Sequence, residues 1–122
     1  MTIRQSAEDY LEAMVMMRER HGYIRSVDVA EQLGVTKPSV SYAVKRLREN
    51  GYLLMDADGR ITLTDKGEEI AQRIYERHRV LTEYLIEIGV SDVVAREDAC
   101  KIEHDLSEET FSAIRRLVRK GV

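Results

Sequence analysis

Residues 30–41, Ala-Glu-Gln-Leu-Gly-Val-Thr-Lys-Pro-Ser-Val-Ser, restrict the backbone more than any other stretch of the chain. Gly34 closes one helical pattern, because a residue without a Cβ enters the left-handed region in which helices end. Thr36 then offers an N-cap for the next helix. Pro38, the only proline, falls in its first turn, where a missing N–H costs nothing. A helix stop and a helix start this close together leave no room for a loop, so two helices must meet at a tight turn. Beyond it, Val40, Ala43, Val44 and Leu47 form one apolar stripe that ends at Asn50-Gly51.

The flanking sequence completes the frame. Ala7, Tyr10, Leu11 and Met14 follow the capping-type start Ser6-Ala-Glu-Asp and predict a first helix to about Arg20, closed by His21-Gly22. A short second helix covers Val27 to Leu33. After the third helix, Tyr52-Leu-Leu-Met and Arg60-Ile-Thr-Leu-Thr read as strands joined through Ala57-Asp58-Gly59, and Asp-Gly between such runs is a strong hairpin signal. A long helix capped by Thr64 or Asp65 then runs to about Ile88, with Ile70, Ile74, His78, Leu81 and Leu85 in one stripe. Two more follow, Asp92 to Leu106 and, capped by Ser107, Glu108 to Lys120. The order α-α-α-β-β-α-α-α is mainly α with a small β-hairpin. Three helices with a tight turn and a hairpin make a winged helix-turn-helix, expected over residues 1–67, with a helical lobe over 68–122.

On such a fold the third helix reads DNA. Placed at 100° per residue, Pro38, Tyr42, Lys45, Arg46 and Glu49 face away from the apolar stripe. Thr36, Lys37, Ser39 and Lys45 are candidates for phosphate contact, helped by the positive end of the helix dipole. Ser41, Tyr42 and Arg46 are candidates for base edges, and Arg60 beside the hairpin tip for the adjoining backbone. A cluster such as Lys45, Arg46 and Arg48 taken alone is more often a solvated helix face. The ordered turn, stripe and hairpin favour DNA. Net charge is −3, with nine basic and nine acidic residues in 1–60 and ten and thirteen in 61–122, so any basic surface is local. One cysteine and no apolar run of signal or spanning length point to a cytoplasmic chain without membrane attachment.

The second half carries a different chemistry. Cys100, Glu103 and His104 stand at i, i+3 and i+4, which on a helix places them on one face, about 120° from the stripe Ala95, Ala99, Ile102 and Leu106. Asp9 and Glu12 are a carboxylate pair on the side of the first helix opposite Tyr10, Leu11 and Met14, and alone read as a wet face. His78 alone reads as a hydrogen-bonded core residue. Packing the long helix between the first and fifth would gather Asp9, Glu12, His78, Cys100, Glu103 and His104, enough for near-octahedral binding of a first-row divalent ion. Carboxylates and imidazoles suit Mn²⁺ or Fe²⁺, while the thiol of Cys100 would favour Zn²⁺ or Fe²⁺.

Glu8-Asp-Tyr-Leu-Glu12, Val35-Thr-Lys-Pro-Ser-Val-Ser41, Leu63-Thr-Asp-Lys-Gly67, Arg77-His78 and Glu97-Asp-Ala-Cys-Lys-Ile-Glu-His-Asp-Leu-Ser107 together resemble the diphtheria toxin repressor family of metal-dependent transcriptional regulators. The resemblance implies a homodimer of winged-helix subunits with helical metal-binding and dimerisation lobes. Metal acts as co-repressor at a palindromic double-stranded operator, and ligand roles fall to Asp9, Glu12, His78, Cys100, Glu103 and His104. Asp9 matches the manganese branch, where the iron branch has methionine, while Cys100 matches the iron branch. Thr82 and Arg96 replace the acid and histidine of an iron-type ancillary site, and the chain's end at Val122 fits the two-domain manganese type. Mn²⁺ is therefore expected first and Fe²⁺ next, with Zn²⁺ or Co²⁺ binding in vitro. Two other readings stand beside this one: a winged-helix regulator sensing an organic ligand, and a metallohydrolase with Glu103 or Glu12 as base. The second lacks a nucleophile elbow or a phosphate loop.

Overall fold

The computed structural model describes residues 5–119. Lys120, expected as the end of the last helix, lies outside them. The chain forms two compact units that part between Gln72 and Arg73. The elements run α1 (Gln5–His21), α2 (Ser26–Leu33), α3 (Lys37–Glu49), β1 (Leu53–Met55), β2 (Ile61–Leu63), α4 (Asp65–Glu87), α5 (Asp92–Ile102) and α6 (Glu108–Arg119). This is the mainly helical order with one hairpin expected from the sequence.

In the first unit α1 packs on α2 and α3, α2 on α3, and α3 on β1. The tight turn forms as its residues require: Gly34 adopts φ 67° and its N–H closes α2, while the Thr36 hydroxyl accepts the Ser39 N–H at 3.2 Å to open α3. Val40, Val44 and Leu47 are buried and Ala43 half-buried, so the stripe of α3 is its inward face. β1 and β2 pair antiparallel in the register Leu53↔Leu63, Leu54↔Thr62 and Met55↔Ile61. The Asp56 carboxylate accepts the backbone N–H of Asp58 and of Arg60, both at 2.9 Å, and fixes the turn between them. One feature lay beyond the expected ribbon. Arg25 bridges Arg60, and Ile61 N–H donates to Ile24 carbonyl at 2.9 Å, so the segment before α2 adds a short third edge to the wing.

The wing enters α4 through a junction with almost no spare volume. The Thr64 hydroxyl donates to Gly51 carbonyl at 2.6 Å and accepts the Gly67 N–H at 3.2 Å. A Cβ on Gly67 would lie 2.0 Å from the Tyr52 carbonyl oxygen, so this position has no room for a side chain. One turn later Glu68 receives both terminal nitrogens of Arg18, at 2.8 and 2.5 Å, tying α1 to the start of α4. That ion pair holds the Glu68 carboxyl down at about 2.

In the second unit the C-terminal part of α4 meets α5 and α6. α5 is shorter than the periodicity suggested. It ends at Ile102, with Glu103 as C-cap, and residues 103–105 form a turn instead of continuing to Leu106. Its buried line is also different. Ala95, Ala99 and Glu103 are each 0% exposed, whereas Ile102 is 37% exposed. The inward face thus follows the i, i+4, i+8 row, with two alanines giving close approach and a carboxylate at the end. No helix among the described residues is long and apolar enough to cross a membrane.

Candidate functional site

In the second unit, α4 presents His78 one turn before Leu81, a fully buried residue, and α5 delivers Glu103 at its end. His78 Nδ1 lies 3.1 Å from Glu103 Oε2 and 3.7 Å from Cys100 Sγ. Donor atoms of His78, Cys100 and Glu103 all fall within 4.8 Å of one another. Ligands about 2.0–2.3 Å from a common ion are separated by about 3–4.6 Å, so this spacing fits a shared cation. His104 Nε2 lies 3.4 Å from Glu103 Oε1. An imidazole, a buried carboxylate and a thiol in such proximity suit a first-row divalent ion.

Burial corrects the helical-face reading of these groups. Glu103 is an inward-facing residue, His104 stands in the turn beyond the helix, and of the three only Cys100, on α5, is exposed. Sequence spacing assumed that the helix continued through His104, but the chain turns there, and Glu103 occupies the core position that Ile102 was expected to hold. Asp9 and Glu12 lie one turn apart on α1, in the first unit. Asp9 is half-buried and Glu12 is 6% exposed, so this carboxylate face is not the wet surface that the pair suggested when taken alone. The pattern misread it because α1 is buried at five successive positions, Leu11 to Val15. Such a helix has no single apolar stripe.

A further residue at this site carried no functional assignment from spacing. Arg77, 8% exposed, donates from Nη1 to the carbonyls of Glu103 at 3.0 Å and Leu106 at 2.8 Å, and from Nη2 to Glu108 at 3.1 Å. The Glu108 carboxyl is held below its ordinary range chiefly by the Arg77 hydrogen bond. The guanidinium carbon lies 5.0 Å from the centre of the Phe111 ring, which Arg115 approaches to 5.4 Å. The adjacency Arg77-His78 was the available signal: one residue reaches the backbone of the turn and the next reaches its carboxylate.

The first unit holds a polar face of a different kind. Thr36, Lys37, Pro38, Ser39, Ser41, Tyr42, Lys45, Arg46 and Arg60 are all exposed. Arg46 donates to the Tyr42 hydroxyl at 3.2 Å and its guanidinium lies 5.8 Å from that ring, so the two side chains project together. Ser26, Ser41, Val44, Lys45, Arg48 and Met55 line a groove between α3 and β1, bringing in a cation, Arg48, outside the expected set. Near the wing, Tyr23 lies between Arg25 and Arg60, with guanidinium carbons 5.9 and 5.6 Å from its ring, and Arg25 donates to Asp58 carbonyl at 2.9 Å. Tyr23 and Arg25 were missed because they precede a helix and meet the hairpin, which for Arg25 lies 33 positions on.

A winged helix with an exposed polar reading helix, joined to a helical unit bearing clustered metal-capable side chains, defines a metal-responsive DNA-binding regulator as the class. Residues 2–59 match the family described as iron dependent repressor, N-terminal DNA binding domain, and residues 64–120 its metal binding and dimerisation domain. The chain belongs to the iron dependent repressor family of metal-dependent transcriptional regulators, as the motif resemblance implied. It is 38% identical over 117 residues to the transcriptional regulator MntR of Escherichia coli, covering 96% of this chain and 76% of that protein. It is also 38% identical over 114 residues to the HTH-type transcriptional regulator MntR of Bacillus subtilis, covering 93% and 80%. The structure of the manganese regulator SloR superposes with a TM-score of 0.80 at 28% identity, over 98% of this chain. This chain spans 55% of the SloR chain. The relatives are regulators and not enzymes, which removes the metallohydrolase reading.

Proposed function

We propose that this protein is a cytoplasmic, metal-dependent transcriptional repressor of metal homeostasis, binding a palindromic operator as a homodimer with Mn²⁺, or next Fe²⁺, as co-repressor. The observation that carries the reading is the convergence of His78, Cys100 and Glu103 donor atoms within 4.8 Å, in a chain whose other unit is a winged helix. Residues 1–67 bind DNA and 68–122 bind metal and pair subunits. Asp9 and Glu12 complete a ligand set with His78, Cys100, Glu103 and His104. The bound ion then restricts the freedom of each DNA-binding domain, so operator binding costs less ordering entropy. The coupling is reciprocal: metal tightens operator binding by the same factor as operator tightens metal binding, typically about 1–3 kcal/mol. Thr36, Lys37, Pro38, Ser39, Lys45 and Arg60 meet the backbone, while Ser41, Tyr42 and Arg46 reach base edges. The second copy docks on the apolar residues left exposed around the end of α4 and the start of α5, Ile86, Ile88, Val93 and Val94, of which Val93 is 66% exposed.

The test is to select duplexes from a random pool in the presence of Mn²⁺ and to measure their affinity with and without metal under reducing conditions. Wild-type protein should bind more tightly with Mn²⁺. A variant carrying His78→Ala and Glu103→Ala that kept the full metal stimulation would sink the proposal. Affinity unmoved by Mn²⁺, Fe²⁺, Co²⁺ and Zn²⁺ would turn it toward an organic effector.

A further inference from the structure

The turn that carries Glu103 and His104 contains no regular hydrogen-bonded element of its own, since α5 has ended and α6 begins only at Glu108. The last carbonyls of a helix lack intrahelical donors and sit at the negative end of its dipole. Here one buried guanidinium answers the carbonyl of the C-cap residue, Glu103, and also that of Leu106 in the segment beyond the helix. Arg77 donates to Glu103 and Leu106 carbonyls, the first and last residues of the segment that bears His104, and the Phe111 ring packs beside the guanidinium. Its neighbour His78 meets the Glu103 carboxylate at 3.1 Å. One turn of α4 therefore grips the same residue twice, at its backbone through Arg77 and at its side chain through His78.

We propose that Arg77 is a positioning residue for the metal, locking the Glu103–Leu106 turn so that the Glu103 carboxylate and the His104 imidazole are held ready before an ion arrives. The inference rests on the metal-regulator reading above and extends it to a residue that touches no ion. Lysine at this position keeps the charge and the packing against Phe111 but lacks the fork that spans two carbonyls. Methionine keeps an unbranched, flexible apolar stem and removes every donor. Glu108 accepts from Arg77 on the solvent side, with its side chain 69% exposed, so its loss leaves the carbonyl grip intact.

The experiment titrates Mn²⁺ into metal-free protein and follows the free-ion electron paramagnetic resonance signal, so no DNA enters the readout. Residues that orient metal ligands typically contribute about 10–100-fold in affinity. Arg77→Met should weaken Mn²⁺ binding by about that factor, Arg77→Lys should fall between it and wild type, and Glu108→Gln should stay within about twofold of wild type. Hydrogen exchange on the metal-free proteins should show faster exchange at the amides of residues 103–107 in Arg77→Lys, with the amides of α1–α3 unchanged. If Arg77→Met does not fold, Arg77→Lys decides: Mn²⁺ affinity equal to wild type would overturn the inference, as would a loss matched by Glu108→Gln. Wild-type protein that failed to bind Mn²⁺ or Fe²⁺ would overturn the underlying reading and this inference with it, whereas tight wild-type binding with an unaffected Arg77→Lys removes only the inference.

Discussion

Gly67 shows how much a single absent atom can decide. A helix interior normally favours alanine over glycine by about 1 kcal/mol, yet a Cβ here would meet the Tyr52 carbonyl oxygen at 2.0 Å, and the obstacle is backbone. We expect Gly67→Ala to destabilise the protein by about 1–3 kcal/mol, seen as a lowered thermal midpoint. Stabilisation would mean that the wing junction yields. Arg18 and Glu68 give a prediction with a pH signature. The folded carboxyl titrates at about 2 against an ordinary 4.5, so its contribution is complete above about 4.5 and drains away as pH falls toward 2. Both side chains are more than a third exposed, and solvent screens the pair. Arg18→Gln should therefore flatten the fall in unfolding midpoint between pH 4.5 and 2 by a modest amount. A slope equal to wild type would deny the pair that role. Cys100 bears on the choice of ion. Replacing its soft thiol through Cys100→Glu should raise Mn²⁺ affinity relative to Zn²⁺ in a competition titration, and an unchanged ranking would argue against thiolate ligation.

Among the elements, α3 makes the DNA reading testable face by face. Lys45→Ala should weaken binding to all duplexes alike and reduce the salt dependence by about one phosphate contact. Arg46→Ala should cost about 1–3 kcal/mol on the selected operator and less on random DNA, narrowing the preference between them. Equal losses on both duplexes would assign Arg46 to the backbone. The helices, the capped turn after Gly34 and the Asp-Gly hairpin were legible in the sequence because each rests on local rules: periodicity, an N-cap, a positive φ. α5 was legible in existence and start, but not in its end or its buried face. Its apolar letters favoured Ile102, while the buried position went to Glu103, whose surroundings come from residues 25 and 26 positions earlier on α4. A charged residue turns inward only when such remote partners are present, and no pattern within one helix reveals them. Glu12 was misjudged for a related reason, since a helix buried on most sides looks polar wherever it carries an acid. The metal-capable residues were nonetheless identifiable by type, and His78, Cys100 and Glu103 converge as their chemistry suggested.

At the scale of the whole protein, subunit pairing and metal response become separable. Val93→Asp places a charge among the exposed apolar residues Ile86, Ile88 and Val94. In the homodimer reading it should shift the mass in solution from dimer to monomer and abolish tight operator binding while sparing Mn²⁺ affinity; a variant that stayed dimeric would move the interface elsewhere. The fully buried Glu103 has a consequence of another sort. A carboxylate taken out of water beside His78 is stabilised further by any cation that binds the native chain but not the unfolded one. Such binding adds about 2.7 kcal/mol when the free ion stands at 100 times its dissociation constant. The lifetime of the regulator against cellular proteases should then lengthen with metal supply. Metal starvation would lower both the active fraction of the repressor and its copy number, measurable as a shortened half-life when a chelator is added.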